Sequence, residues 1–193
     1  MMHKPLRFIA LLAFCFTLLP LQAKLIHLLP KPQKVEQTGG AAFSLARNLR
    51  IIDADNILAL KRFVEENAAG ITTDTAAPVI SVNRVAAIEE AFDHQIFGFD
   101  NEAYRLTISE HAVVIDAVSQ IGVIRAVQTL AQLAEGYDSE KALEACTITD
   151  WPAFKLRGVM HDVGRSYISV EALKKQIDLL SRFKINVFHW HLT

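Results

Sequence analysis

An aspartate and an arginine follow a strand-like segment, residues 158–163, in the last part of this sequence. Asp162 lies at the carboxyl end of the segment, and Arg165 comes shortly after it. A guanidinium presents its N–H groups as a rigid fork, which can donate two hydrogen bonds to a carboxylate or to neighbouring hydroxyls. We therefore take Arg165 as the candidate substrate-binding residue, supported by Asp162. The alternative that the spacing leaves open is a purely structural ion pair between the two.

Two histidines lie near the end of a second strand-like segment, residues 187–192. His189 and His191 are two positions apart, so both side chains face one side of a strand while Trp190 faces the other. The pair could bind a metal, as in metal-dependent amidohydrolases, or could orient neighbouring carboxylates through hydrogen bonds. Because no cysteine or carboxylate in the sequence completes a metal set, we predict supporting roles for both histidines. No metal and no cofactor are predicted, and core packing is predicted for Trp190.

An amphipathic helix is predicted between the two strand-like segments. Ser169 is its expected N-cap, and its apolar seam consists of Val170, Leu173, Ile177, Leu180 and Phe183. The other face, expected to contact solvent, carries Lys174, Lys175, Asp178 and Arg182. Strand, helix and strand at this spacing predict a parallel βαβ unit with a right-handed crossover. Since the carboxyl ends of parallel strands meet at one edge, the unit should bring the candidate site residues together.

The preceding region, residues 24–150, is predicted to be a separate small α/β domain. A strand at 49–52, a helix and a strand at 79–82 form a β-α-β opening, and alternating residues at 104–109 and 112–118 predict a hairpin. A helix at 121–135 is apolar except for a narrow polar stripe, which predicts that it lies enclosed between the sheet and another element. The stripe consists of Arg125, Gln128, Gln132 and Glu135. Pro152 disfavours helix at Trp151, so we place a domain boundary there and assign residues 151–193 to a second unit.

The first 23 residues have the order of a secretory signal, with a positive start, an uncharged apolar run and small residues at the end. We expect export to the periplasm or the extracellular space, and no stable membrane span after cleavage, because the run is shorter than the about 20 apolar residues a spanning helix needs. Removal of residues 1–23 leaves 18 basic and 21 acidic residues, a net charge of −3. This balance offers no basic patch for nucleic acid. Only Cys146 remains, so no intrachain disulfide can form.

Two parts of the sequence carry a family resemblance. The segments Arg157-Gly-Val-Met-His-Asp-Val-Gly-Arg165 and Lys184-Ile-Asn-Val-Phe-His-Trp-His-Leu192 resemble the start of the catalytic barrel of glycoside hydrolase family 20, the β-N-acetylhexosaminidases. Leu28-Leu-Pro-Lys-Pro32, Ala103-Tyr-Arg-Leu-Thr-Ile108 and the helix from Gly122 to Leu133 are similar to the family's N-terminal domain. The resemblance implies an α/β fold, with an α+β N-terminal domain followed by the first βαβ unit of a truncated (β/α)₈ barrel.

The resemblance also implies a function. Members remove terminal N-acetylglucosamine or N-acetylgalactosamine from glycans by a retaining mechanism in which the substrate's acetamido oxygen is the nucleophile. The arginine that matches Arg165 binds hydroxyls of that sugar, and the catalytic Asp-Glu pair comes later in the family, so we expect it after Thr193. The sequence departs from many members at His161, Gly164 and Ser166.

Two barrel strands cannot close a (β/α)₈ sheet, so we expect residues 24–193 alone to be inactive. One alternative is a metal-dependent amidohydrolase that uses His189 and His191. The other is a non-catalytic glycan-binding relative that keeps Arg165.

Overall fold

The computed structural model describes residues 28–94, 101–136 and 141–192, so the predicted signal segment lies outside the described residues. Within the described part the helices are α1 (Leu58–Asn67), α2 (Gln120–Glu135) and α3 (Val170–Arg182), and a short 3₁₀ helix covers Glu89–His94. The strands there are β1 (Lys34–Gln37), β2 (Phe43–Ser44), β3 (Asn48–Ile52), β4 (Gly70–Ile71), β5 (Val79–Arg84), β6 (Tyr104–Ile108), β7 (Ala112–Ala117), β8 (Ala142–Leu143), β9 (Cys146–Asp150), β10 (Gly158–Asp162) and β11 (Val187–His191).

One mixed sheet of seven strands organises the N-terminal part, in the order β1-β9-β6-β7-β5-β3-β4. β3, β5 and β7 are parallel neighbours, whereas β6 pairs antiparallel with both β7 and β9. The predicted β-α-β opening is confirmed, because α1 lies in the chain between the parallel strands β3 and β5. The predicted mixed α/β fold class is confirmed as well.

The hairpin of β6 and β7 follows the alternation in its sequence. Tyr104, Leu106 and Ile108 are at most 1% exposed, and the two residues between them are half-buried. The Ser109 backbone N–H donates a hydrogen bond to the Ala112 carbonyl oxygen at 2.9 Å, which closes the turn. Burial of one strand face therefore fixes the register, since a slip by one residue would turn the buried side chains to the other face.

Helix α2 lies between the sheet and a second helix. It packs against β6 and β7, against α1, and against α3. Its Leu130 side chain is fully buried in the core, together with Leu49, Leu60, Ile80, Leu106, Ile115 and Ile148. The prediction that this helix is enclosed is confirmed, and α3 is the element on its other side. No helix in residues 28–94, 101–136 and 141–192 combines the length and the apolar character that crossing a membrane would require.

Gly122 allows α2 to lie close to the sheet. A Cβ atom added there would come within 2.7 Å of the Ala103 carbonyl oxygen and 3.2 Å of the Ala117 Cβ. We predict that Gly122→Ala destabilises the protein by about 1–3 kcal/mol, because overpacking against backbone outweighs the about 1 kcal/mol that alanine gains in a helix. Urea unfolding of the variant measures this loss.

Gly136 provides the matched control, since a Cβ there has its nearest neighbour at an ordinary contact distance of 3.5 Å and its backbone φ is −74°. Gly136→Ala should leave the unfolding midpoint nearly unchanged. Equal effects of the two substitutions would show that the close approach at Gly122 is not what limits the packing of α2.

The last part of the described chain is the predicted parallel βαβ unit. β10 and β11 pair in parallel, with Asp162 opposite His191, and the Ser169 hydroxyl caps α3 by accepting the Ala172 N–H at 3.2 Å. Leu173 is the buried member of the apolar seam, and the described residues leave Phe183 41% exposed.

Arg182 belongs to the predicted solvent face of α3, and its side chain is 53% exposed, as predicted. Its guanidinium forms an ion pair with the carboxylate of Glu135, in the last turn of α2. Helix α3 ends against α2, so an exposed side chain of its outer face also contacts the neighbouring helix.

Candidate functional site

The candidate site residues lie at the carboxyl ends of β10 and β11. Asp162 is the last residue of β10, and the register of the two strands sets it opposite His191, the last residue of β11. His189 lies two residues earlier in β11, opposite Met160 in β10. The parallel pairing therefore brings the aspartate and the histidines to a single edge, as the spacing predicts.

Asp162 lies between Arg165 and His191. Its Oδ2 atom is 3.9 Å from the Arg165 Nε and 3.6 Å from the His191 Nδ1, and its Oδ1 accepts the Gly164 backbone N–H at 2.9 Å. Both contacts of Oδ2 are longer than hydrogen bonds, so the carboxylate lies near both side chains without a direct hydrogen bond to either through these atoms. The backbone bond fixes the carboxylate itself.

The Arg165 side chain is 89% exposed in the described chain. An exposed ion pair contributes little to stability, because water screens it and ordering two side chains costs entropy. A purely structural ion pair with Asp162 would therefore add little stability, and it does not explain why an arginine occupies position 165. A guanidinium directed at solvent from a strand end is available to a polar ligand, and its role in substrate binding stays a prediction.

The two histidines form a pair of rings on one face of β11. The ring centroids of His189 and His191 are 6.2 Å apart with an interplanar angle of 69°. Within the part of the chain that the structure describes, no group of three or more His, Cys, Asp or Glu side chains could hold a metal ion. Trp190, on the other face, is 49% exposed, so the described residues do not enclose it in the core that we predicted.

A buried charge cluster joins the two units at the opposite end of β10. The Glu102 carboxylate, 6% exposed, precedes β6 and accepts hydrogen bonds through Oε2 from the Arg125 Nε at 2.6 Å and from an Arg157 Nη at 2.5 Å. Arg125 belongs to α2, whereas Arg157 immediately precedes β10. One carboxylate thus binds a guanidinium from each unit.

A second buried cluster surrounds Lys184. Its ammonium donates to the Asp150 Oδ2 at 2.7 Å and to the Tyr104 hydroxyl oxygen at 2.9 Å, and the Tyr104 hydroxyl donates to the same carboxylate at 3.1 Å. Burial lowers the pKa of Lys184, an effect that the Asp150 carboxylate opposes. Burial also raises the pKa of Tyr104 well above its usual value, and the negative charge of Asp150 adds to that rise. Tyr104 therefore remains a neutral hydrogen-bonding group at physiological pH.

Comparisons with known proteins identify the family. Residues 25–151 match the family model described as glycosyl hydrolase family 20, domain 2, and residues 154–193 match the one described as glycosyl hydrolase family 20, catalytic domain. The chain belongs to glycosyl hydrolase family 20. The predicted resemblance is thereby confirmed, and the amidohydrolase alternative is wrong as an assignment of family. The aspartate, arginine and histidines described above lie in the segment that matches the catalytic domain of family 20.

Similar proteins of family 20 are longer than this chain. A β-N-acetylhexosaminidase from Cellulomonas fimi is 33% identical over 179 residues, which cover 87% of this chain and 34% of the relative. A β-hexosaminidase from Porphyromonas gingivalis is 46% identical over 99 residues, covering 48% of this chain and 13% of the relative. The crystal structure of an exo β-N-acetylglucosaminidase from Vibrio harveyi, in complex with N-acetylglucosamine, is similar with a TM-score of 0.67 and 30% identity, covering 89% of this chain and 26% of that one. The chain thus spans about a third or less of these relatives.

The buried clusters of this family 20 chain are the part that sequence reasoning missed. Glu102 and Asp150 lie outside every motif that we singled out, and Lys184 entered only as part of a resemblance. One signal was present, because Arg125 belongs to the narrow polar stripe of an otherwise apolar helix. A charged residue on an enclosed helix needs a buried partner, but the sequence does not indicate which carboxylate supplies it.

Proposed function

We propose that this chain forms the N-terminal domain and the first βαβ unit of the catalytic barrel of an exo-acting β-N-acetylhexosaminidase. The enzyme hydrolyses terminal N-acetylglucosamine or N-acetylgalactosamine from glycans. The observation that carries the proposal is the position of Asp162, Arg165 and His191 at one strand edge, within the segment that matches the family's catalytic domain.

Arg165 has the role of holding the sugar. Its guanidinium donates charge-assisted hydrogen bonds to hydroxyls of the terminal residue, and a fork with fixed geometry selects the arrangement of those hydroxyls. Asp162 keeps the guanidinium near the strand end, and His191 supports Asp162 from the neighbouring strand. His189 lies on the same face of β11 and contacts the His191 ring, so it supports that side chain in turn.

The chemistry itself follows the substrate-assisted route of family 20. The acetamido oxygen of the substrate attacks the anomeric carbon, so configuration is retained without an enzyme nucleophile. A carboxylic acid from a later barrel element protonates the leaving oxygen. The residues of this chain contribute binding and orientation, which are worth several kcal/mol when they hold the reacting groups in a productive geometry.

A hydrolysis assay on the full-length enzyme tests the proposal. It should release the chromophore from an aryl N-acetyl-β-glucosaminide and leave the matching aryl β-glucoside intact, because the latter lacks the acetamido nucleophile. A full-length protein that binds the N-acetylated glycoside without cleaving it would instead be the non-catalytic glycan-binding relative. Cleavage of both glycosides at equal rates would contradict the substrate-assisted mechanism.

Export is the second part of the proposal. The order of charge, apolar run and small residues in residues 1–23 supports cleavage by a signal peptidase and transfer to the periplasm or the extracellular space. Fractionation of cells that express the full-length protein, followed by N-terminal sequencing, checks this. We expect the mature protein outside the cytoplasm, beginning at Lys24, and an intact N-terminus in the cytoplasmic fraction would contradict it.

A further inference from the structure

The N-terminal domain holds the barrel unit at the ends of its strands that lie opposite the candidate site. Arg157 comes immediately before β10, Asn186 comes immediately before β11, and Lys184 lies two residues before Asn186. Their carboxylate partners, Glu102 and Asp150, both belong to the N-terminal domain. In parallel α/β folds the ligand binds at the carboxyl ends of the strands, so these contacts lie away from the chemistry.

The residues that reach the N-terminal domain also tie the two strands to each other. The Arg157 backbone N–H donates to the Asn186 Oδ1 at 2.9 Å, and the Arg157 Nε donates to the Lys184 carbonyl oxygen at 2.8 Å. The Asn186 amide in turn donates to the Lys155 carbonyl oxygen at 2.5 Å. Hydrogen bonds therefore join the segments that precede β10 and β11, and the two segments contact the N-terminal domain together.

A second set of contacts holds the end of α3. The Gln128 amide donates to the Ser181 hydroxyl at 3.0 Å, and the Gln132 amide donates to the Arg182 carbonyl oxygen at 2.9 Å. Glu135 adds its ion pair with the Arg182 side chain. Gln128, Gln132 and Glu135 all belong to the polar stripe of α2, so this stripe is the face of α2 that contacts α3.

The charged contacts between the two units are buried, so the loss of a partner would carry a desolvation cost. The side chains of Lys184 and Asp150 are 8% and 10% exposed, and the pair exists only while the two units are in contact. A buried charge that loses its partner keeps its desolvation cost without compensation. Separation of the units must therefore either expose these groups to water or leave them unpaired.

A cavity of about 280 Å³ lies beside these contacts, lined by Trp151, Phe154, Glu102 and Lys184 among others. Its buried carboxylate and ammonium groups already bond to protein partners across the junction. The cavity is therefore part of a junction between two units, with its charged groups engaged there.

We propose that the N-terminal domain is the docking partner of the first βαβ unit of the barrel, with Glu102 and Asp150 as the two anchoring carboxylates. The anchors hold the amino-terminal ends of β10 and β11, and the polar stripe of α2 holds the end of α3. This role goes beyond hydrolysis and does not depend on it.

Hydrogen exchange with mass spectrometry on the full-length enzyme tests the docking role. Asp150→Asn and Lys184→Met should each accelerate exchange of the protected amides in residues 158–191 at least about tenfold, while amides of β5 and β7 change less than about twofold. Lys174→Met, which removes an exposed lysine of α3, is the matched control and should change neither region. Uniform acceleration in both regions, or no acceleration in 158–191, would overturn the proposal.

Two further variants keep the test decisive if a single substitution prevents folding. Tyr104→Phe removes the hydroxyl that bonds to Lys184 and Asp150 across the junction and to Thr129 within the N-terminal domain, and should accelerate exchange in 158–191 more than in β5 and β7. In the double variant Asp150→Asn/Lys184→Met no lone charge remains, so its acceleration should be smaller than the product of the two single effects. Purely multiplicative effects would show that the two residues act independently and would rule out a shared anchor. These readouts need no catalytic activity, so an inactive enzyme would contradict the proposed function and leave the docking test intact.

Discussion

Arg165→Lys should lower kcat/KM of the full-length enzyme for an aryl N-acetyl-β-glucosaminide by at least about tenfold, a loss of about 1.4 kcal/mol in transition-state stabilisation. The substitution keeps the positive charge but replaces a planar fork with a compact ammonium. One lost charge-assisted hydrogen bond is worth about 1.5–3 kcal/mol, so even a partial loss of the fork reaches this threshold.

The geometry around Arg165 explains why lysine should not substitute for it. The Arg165 Nε is the atom nearest to the Asp162 carboxylate, at 3.9 Å, which leaves the terminal guanidinium nitrogens for a ligand. Lysine has one nitrogen for both tasks, so it must give up either the aspartate or the sugar hydroxyls. The expected loss of kcat/KM therefore results from the changed binding geometry and not from a change in net charge.

Arg47→Lys is the matched control for this experiment. Arg47 is also exposed, but it lies in the N-terminal domain just before β3, far along the chain from the candidate site. Its substitution should leave kcat/KM unchanged within about twofold. Unchanged kinetics in Arg165→Lys as well would mean that this arginine does not contact the substrate.

The local pattern of the chain predicts the elements that carry the site. Alternation at Tyr104, Leu106 and Ile108 predicts β6 because a half-buried strand repeats every two residues, and the structure buries those side chains. Ser169 predicts the start of α3 because its hydroxyl can accept a free backbone N–H. Such signals depend on neighbours within a few residues, which the sequence contains directly.

The relative position of Asp162 and His191 is also predictable, for a different reason. Parallel strands joined by a helix have a fixed handedness and direction, so residues at their carboxyl ends must meet at one edge. The structure confirms this, since Asp162 and His191 lie opposite each other at the carboxyl ends of β10 and β11. What the topology does not supply is the function of those side chains, which stays a prediction.

The buried clusters could not be predicted, because their members are distant in sequence and polar in type. Glu102 and Arg157 are 55 positions apart, and Tyr104 and Lys184 are 80 apart. A glutamate before a strand and a lysine after a helix have the pattern of solvent-exposed residues. Their burial results from the docking of two units, which no local periodicity encodes.

Glu102→Ala should lower the free energy of unfolding of the full-length enzyme by about 3–5 kcal/mol, measured from urea unfolding monitored in the barrel and in the N-terminal domain. The side chain is 6% exposed and compensates Arg125 and Arg157, whose side chains are 10% and 13% exposed. Within the described part of the chain Glu102 is the carboxylate that pairs with both guanidinium groups, so its removal leaves these two buried cations without that anionic partner. That cost exceeds the loss of the hydrogen bonds alone, because the desolvation of both cations is no longer offset.

Glu90→Ala separates this cost from the loss of an ordinary ion pair. The Glu90 carboxylate accepts two bonds from one Arg105 nitrogen, at 2.9 and 2.8 Å, so like Glu102, with contacts of 2.6 and 2.5 Å, it makes two hydrogen-bonded ionic contacts. The two pairs differ in burial, since Glu90 and Arg105 are 33% and 36% exposed. Water can solvate Arg105 once its partner is gone, so this substitution should cost less than about 1 kcal/mol. Equal losses in the two variants would contradict the argument, since they would show that the strength of these pairs comes from their contact distances and not from burial at the junction of the two units.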